Sequence, residues 1–146
     1  MSNLLVQNIK HTNNTTSMTV DTSGQVSVRG EGSATTTNLQ QGLCKAWVQF
    51  DGTDSSASAR DSFNVSSMSD SSEGHHIVTY NNDFSSTNTL TASGNGGQFS
   101  GASANNVFIF HKNIAVGSIS IQVQIASSGS NKDQTYICHL AHGDLA

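Results

Sequence analysis

"SISIQVQIAS", residues 118–127, decides the fold class. Ile119, Ile121, Val123 and Ile125 fall on one side of an extended chain, and Ser118, Ser120, Gln122 and Gln124 fall on the other. Side chains alternate between faces along a strand, so this strict period of two reads as a half-buried β-strand with its aliphatic face inward. The same pattern recurs on both sides. "KAWVQFDG" (45–52) sets Ala46, Val48 and Phe50 against Lys45, Trp47 and Gln49, and "HHIVTYNND" (75–83) sets Val78 and Tyr80 against Ile77 and Thr79. "SFNVSSM" (62–68) is read with Phe63 and Val65 on one face, and "QTYICHLAHG" (134–143) with Tyr136, Cys138 and Leu140 on one face. "NVFIFHK" (106–112) is apolar on both faces, which places it centrally in a sheet or against a subunit contact.

Loops rich in Ser, Gly and Asn separate these runs at 51–61, 69–74, 83–105 and 127–133, with "NTLTAS" (88–93) as a further candidate strand. Short strands with turn residues between them describe an antiparallel β-sandwich, jelly-roll-like, over residues 43–146. Ahead of it, residues 1–29 form a short N-terminal β arm. "SMTV" and "QVSV" flank "DTSG", a hairpin with Gly24 in the turn, Met18 and Val20 on one strand and Val26 and Val28 on the other. "LLVQNIK" (4–10), with Leu4, Leu5, Val6 and Ile9, adds a short strand, and residues 30–42 read as a linker.

Composition agrees with an all-β chain. Ser, Thr and Asn supply about a third of the 146 residues, Pro is absent and charged residues are only 11%. Ser and Asn compete with the helical backbone for hydrogen bonds, while Thr suits strands. Leu, Ile, Val and Phe together supply only about a fifth of the chain, so the core is thin, and thin cores are often completed by association with further copies. A net charge of −4 with six Lys and Arg gives no nucleic-acid footprint, and no apolar run is long enough to cross a membrane.

The residues point to no catalytic chemistry. His75 and His76 are adjacent and His139 and His142 are an odd number apart, so both pairs diverge on a strand; strand-edge or loop positions are expected, and no metal ligand set. The carboxylates Asp51, Asp54, Asp61, Asp70 and Asp83 stand beside Ser, Thr, Gly, Asn or Phe in loops, where they cap turns. No G-x-S-x-G elbow precedes a helix. Cys44 and Cys138 are read as small buried thiols in strands, with a bridge between them left open. No enzyme, cofactor or metal is expected.

Three stretches carry a family resemblance. "LLVQNIKHTNNTTSMTVDTSGQVSV" (4–28) resembles the N-terminal segment of marine, cyanophage-like bacteriophage virion proteins. "KAWVQFDGTDSSASARDSFNVSSMSD" (45–70) resembles a segment common at the distal ends of phage tail fibres, and "QTYICHLAHGDLA" (134–146) is similar to that family's closing strand. The serine-rich loop at 53–60 and residues 83–117 depart from the pattern, and the chain is far shorter than most tail fibres. The resemblance implies a homotrimeric virion protein located on the particle and associated with other virion proteins. The short chain favours a capsid decoration protein, head fibre or short spike. In that reading Leu4, Leu5, Val6, Ile9, Met18, Val20, Val26 and Val28 make the anchoring and oligomer contacts. The alternative is a tail-fibre module that recognises a host surface glycan, for which Trp47, Tyr80 or Phe84 must be exposed.

Overall fold

The computed structural model describes residues 6–29, 36–97 and 106–146. The chain divides into two compact units, Met1–Leu43 and Cys44–Ala146.

The first unit is one antiparallel sheet of four strands in the order β1 (Asn8–Lys10), β2 (Thr16–Val20), β3 (Val26–Arg29), β4 (Thr36–Asn38). The β2–β3 hairpin has Met18 opposite Val28 and Val20 opposite Val26. Gly24 in its turn has φ +77, a left-handed conformation that a side chain disfavours. Asp21 closes the turn by accepting from the backbone N–H groups of Ser23 (2.8 Å) and Gln25 (2.9 Å). Part of the expected linker is regular structure. Residues 36–42 supply β4 and one helical turn, α1 (Leu39–Gly42), and residues 30–35 lie outside the described residues. The Asn38 side chain caps α1 by accepting from the Gln41 N–H, and the Gln40 amide reaches the Val26 N–H at 3.0 Å, tying the turn to β3.

The second unit holds two antiparallel sheets. One has the order β6 (Ala59–Phe63), β5 (Ala46–Phe50), β12 (Tyr136–His142), β9 (Thr91–Gly97). The other has the order β10 (Val107–Lys112), β11 (Ser118–Ile125), β8 (His75–Tyr80), β7 (Val65–Ser72). They share one apolar core. Ala46, Val48, Phe50, Ile137 and Ala141 come from the first sheet, Val78, Tyr80, Ile119, Ile121 and Val123 from the second, and Phe84 and Leu90 from the connection between β8 and β9. Each aliphatic residue of this set on β11 is fully buried, as the alternation of "SISIQVQI" requires.

Two readings of the body change. Phe63 and Val65 share no strand. Asn64 between them takes φ +57, and its side chain accepts from Asn82 N–H at 2.7 Å, so the chain turns there from β6 in one sheet to β7 in the other. "VFIFHK" is an edge strand, not a central one: among the described residues β10 pairs only with β11. The Gly-rich strand β9 explains how the sheets close at that side. A Cβ on Gly94 would lie 3.2 Å from Ile109 Cγ2, and one on Gly96 would lie 3.3 Å from Ile109 Cδ1, so bare backbone lets Ile109 of β10 pack inward.

Candidate functional site

Two outward sheet faces and one buried histidine cluster hold the residues with chemistry to offer. On the first sheet, register places Phe63, Trp47, Leu140 and Ser93 side by side across β6, β5, β12 and β9. Phe63 is 53% exposed, Leu140 is 37% exposed and Trp47 is half-buried between them. The reason is phase. The inward residues of β12 are Ile137, His139 and Ala141, so the Tyr136, Cys138 and Leu140 set faces outward.

On the second sheet the outward residues form a grid of three rows. Phe108 lies beside Gln124 and Asn131, Phe110 beside Gln122 and His75, and Lys112 beside Ser120 and Ile77. The Phe108 and Phe110 rings are 57% and 42% exposed with centroids 6.3 Å apart. Asn131 Oδ1 accepts from both Gln122 Nε2 (2.8 Å) and Gln124 Nε2 (3.2 Å), which fixes both amides. A groove of about 220 Å³ opens beside this grid at its Lys112 end, lined by His75, Lys112, Asn113, Ser120 and Gln122 among others but by neither phenylalanine ring.

Inside the body, His139 bridges two partners. Its Nε2 lies 3.1 Å from the Tyr80 hydroxyl and its Nδ1 lies 3.1 Å from His111 Nε2. Burial, and secondarily the neighbouring His111, pushes the His139 pKa down to about 3, so both rings are neutral. Burial also lowers His111 and raises the Tyr80 phenol. With both ring nitrogens engaged, His139 has no lone pair to give a metal or a substrate. His76 is equally buried, edge-on to Phe50 at 5.0 Å, with Asp70 Oδ1 3.9 Å from Nδ1 and Asp133 Oδ1 3.8 Å from Nε2. Those distances exceed hydrogen-bond length. Burial outweighs the two carboxylates and lowers the His76 pKa. The expected strand-edge or loop placement of the histidines therefore fails for His76 and His139. Alternation separated His75 from His76 correctly, but a polar residue on the inward phase of an apolar strand goes into the core with it.

The residues singled out from sequence separate as follows. Tyr80 and Phe84 are 3% and 1% exposed and pack edge-on at 5.0 Å, so neither offers a ring to a ligand and both leave the recognition set. Trp47 keeps an outward face. The exposed aromatics that sequence reasoning passed over are Phe108 and Phe110, whose signal was the two-sided apolarity of "VFIFHK". In the first unit, Ile9, Met18, Val20, Val26 and Val28 share one sheet face by register; Ile9 and Val6 are 52% and 48% exposed, and the other four are half-buried. Leu4 and Leu5 lie outside the described residues.

Asp51 and Asp54 do the expected turn work, whereas Asp61 lies within β6 and Asp70 within β7 and not in loops. Asp51 accepts from the Thr53 N–H (3.0 Å) and hydroxyl (2.6 Å) and pairs with Arg60 at 2.6 Å; these contacts, the Thr53 hydroxyl foremost, lower its pKa. Asp54 accepts from the Ser56 N–H at 3.1 Å in the same manner. Among the described residues, no group of three His, Cys, Asp or Glu stands close enough to hold a metal ion. Cys44 and Cys138 are both free thiols, half-buried, and Cys44 lies just before β5 and not within it.

Comparison with protein-family models, curated proteins and solved structures finds no match.

Proposed function

We propose that this chain is a non-enzymatic structural protein of a bacteriophage virion surface. It acts as a small capsid-decoration, head-fibre or short-spike component, works as a homotrimer, and uses residues 1–29 as its anchor to other virion proteins. The observation that carries the assembly part is the outward row Phe63–Trp47–Leu140. A row of large apolar side chains on the outside of a sheet whose other face is already buried needs a partner. A like sheet from a second and third copy supplies one, burying the same patch on each. The four-stranded arm sheet makes the same demand, with five apolar side chains on one face and none of them fully buried. The strand pairing supports a two-sheet antiparallel β-sandwich. Of the pairs that a rolled-up long hairpin would make, only β5 with β12 is present among the described residues; β6 and β7 pair with their sequence neighbours β5 and β8. The virion setting rests on the three resembling stretches.

Light-scattering mass at micromolar concentration tests the assembly. The expected value is three times the 15.3 kDa chain mass, falling towards one chain in Trp47→Asp or Leu140→Asp. A lone chain that melts cooperatively in dilute solution refutes it. Deleting residues 1–29 is expected to abolish incorporation into particles, and unchanged incorporation refutes the anchor.

Recognition of a surface glycan is the second reading, favoured by the exposed rings of Phe108 and Phe110.

A further inference from the structure

We infer that the outward face of the β10–β11–β8–β7 sheet is a binding site for a carboxylated saccharide, with Phe110 as the stacking ring and Lys112 as the carboxylate partner. This inference rests on the glycan-recognition reading and is independent of the assembly proposal. Its first ground is the mixture of chemistry in one small area. Sugar rings present apolar C–H faces and polar edges, and they are held where an exposed aromatic ring adjoins fixed hydrogen-bonding groups. Phe108 and Phe110 are the exposed rings, and Gln122, Gln124 and Asn131 are the fixed amides in the adjacent strand positions. Residues two apart on a strand are spaced by about 6–7 Å, the order of one sugar unit, and the two ring centroids stand 6.3 Å apart.

The second ground is an unspent acceptor. Gln122 lines the groove, is only 5% exposed, and its Oε1 has no hydrogen-bond partner among the described residues. Its Nε2 is committed to Asn131, so the amide cannot turn without losing that bond. A buried carbonyl left without a donor is destabilising; this oxygen is closed to solvent, so a ligand hydroxyl supplies the donor only where the groove wall gives way to it.

The third ground is charge. Lys112 forms no ion pair among the described residues, and no carboxylate lines the groove. In a chain of net charge −4, a groove whose one formal charge is an uncompensated ammonium selects an anionic group. One lysine is too little for a nucleic-acid backbone, and a groove of about 220 Å³ is too small to seat a folded partner. A single ring bearing a carboxylate matches both its size and its charge.

Titration calorimetry on the full chain tests this with tetragalacturonate as the probe, maltotetraose as the neutral sugar and citrate as the bare anion. Saturable binding of tetragalacturonate is expected, at least tenfold weaker in Lys112→Gln and in Phe110→Ala and unchanged in Phe63→Ala, with all variants retaining the wild-type circular dichroism spectrum. Binding of maltotetraose equal to tetragalacturonate overturns the carboxylate assignment while leaving glycan recognition standing. Absence of binding to both sugars overturns both. Citrate binding as tight as tetragalacturonate, or a change in oligomeric mass in Phe110→Ala, overturns the saccharide site in favour of an anion site or a contact between copies.

Discussion

Lowering the pH from 7 to 5 is expected to destabilise the body by about 2 kcal/mol through His139 alone. The folded protein holds this imidazole at a pKa of about 3 against an ordinary 6.5, because its ring is buried beside Tyr80 and His111. Between those two values the unfolded chain takes up a proton that the folded chain refuses. The stabilisation is therefore complete above pH 6.5 and is lost progressively as the pH falls towards 3. At pH 5 the unfolded imidazole is almost fully protonated, which gives the figure above, and the loss would reach about 5 kcal/mol if the fold survived below pH 3. His76 and His111 are shifted the same way and add to the slope. Asp51 and Asp54, both lowered from 3.8, act only at more acid pH, so the window from 7 to 5 isolates the imidazoles. The assay is urea unfolding followed by Trp47 fluorescence at fixed protein concentration across that range. In His139→Gln the absolute stability falls at every pH, but the pH slope shrinks by the His139 share. Equal stability at pH 7 and 5, or a slope unchanged in the variant, refutes the reasoning.

Other substitutions probe the packing. Gly52→Ala places a Cβ 2.5 Å from Ile137 Cδ1 and 2.9 Å from His76 Nε2, so it should cost about 1–3 kcal/mol as an overpacked core, read as a lower urea midpoint. Ile121→Ala, at a fully buried position in the middle of β11, should cost about 2–5 kcal/mol by the same measurement. Arg60→Ala removes a partly exposed pair with Asp51 and a 2.7 Å bond to the Thr135 carbonyl, and should cost about 1 kcal/mol or less, diminishing in high salt. Because Cys44 and Cys138 are free, reductant should leave the melting temperature unchanged; a drop on reduction would reveal a bridge.

The sequence by itself determined the strands wherever one phase was apolar and the other polar. β5 and most of β11 read correctly because alternation is a local property of an extended chain, and burial follows once one face is chosen; on β11, Gln122 of the polar phase is buried and Ile125 of the aliphatic phase is half-buried. The arm hairpin was legible for a similar reason, since Gly24 and Asp21 specify a turn within a few residues. Tertiary structure decided the cases where both phases carry large side chains. In β12, Ile137, His139 and Ala141 compete with Tyr136, Cys138 and Leu140, and in β10, Val107, Ile109 and His111 compete with Phe108 and Phe110. Periodicity states that two faces exist but not which one meets the opposite sheet; that choice depends on partners distant in the chain. The same dependence carried His139 into the core, set Tyr80 and Phe84 inside with it, and left Phe108, Phe110 and Lys112 on the outside, where the proposed ligand chemistry lies.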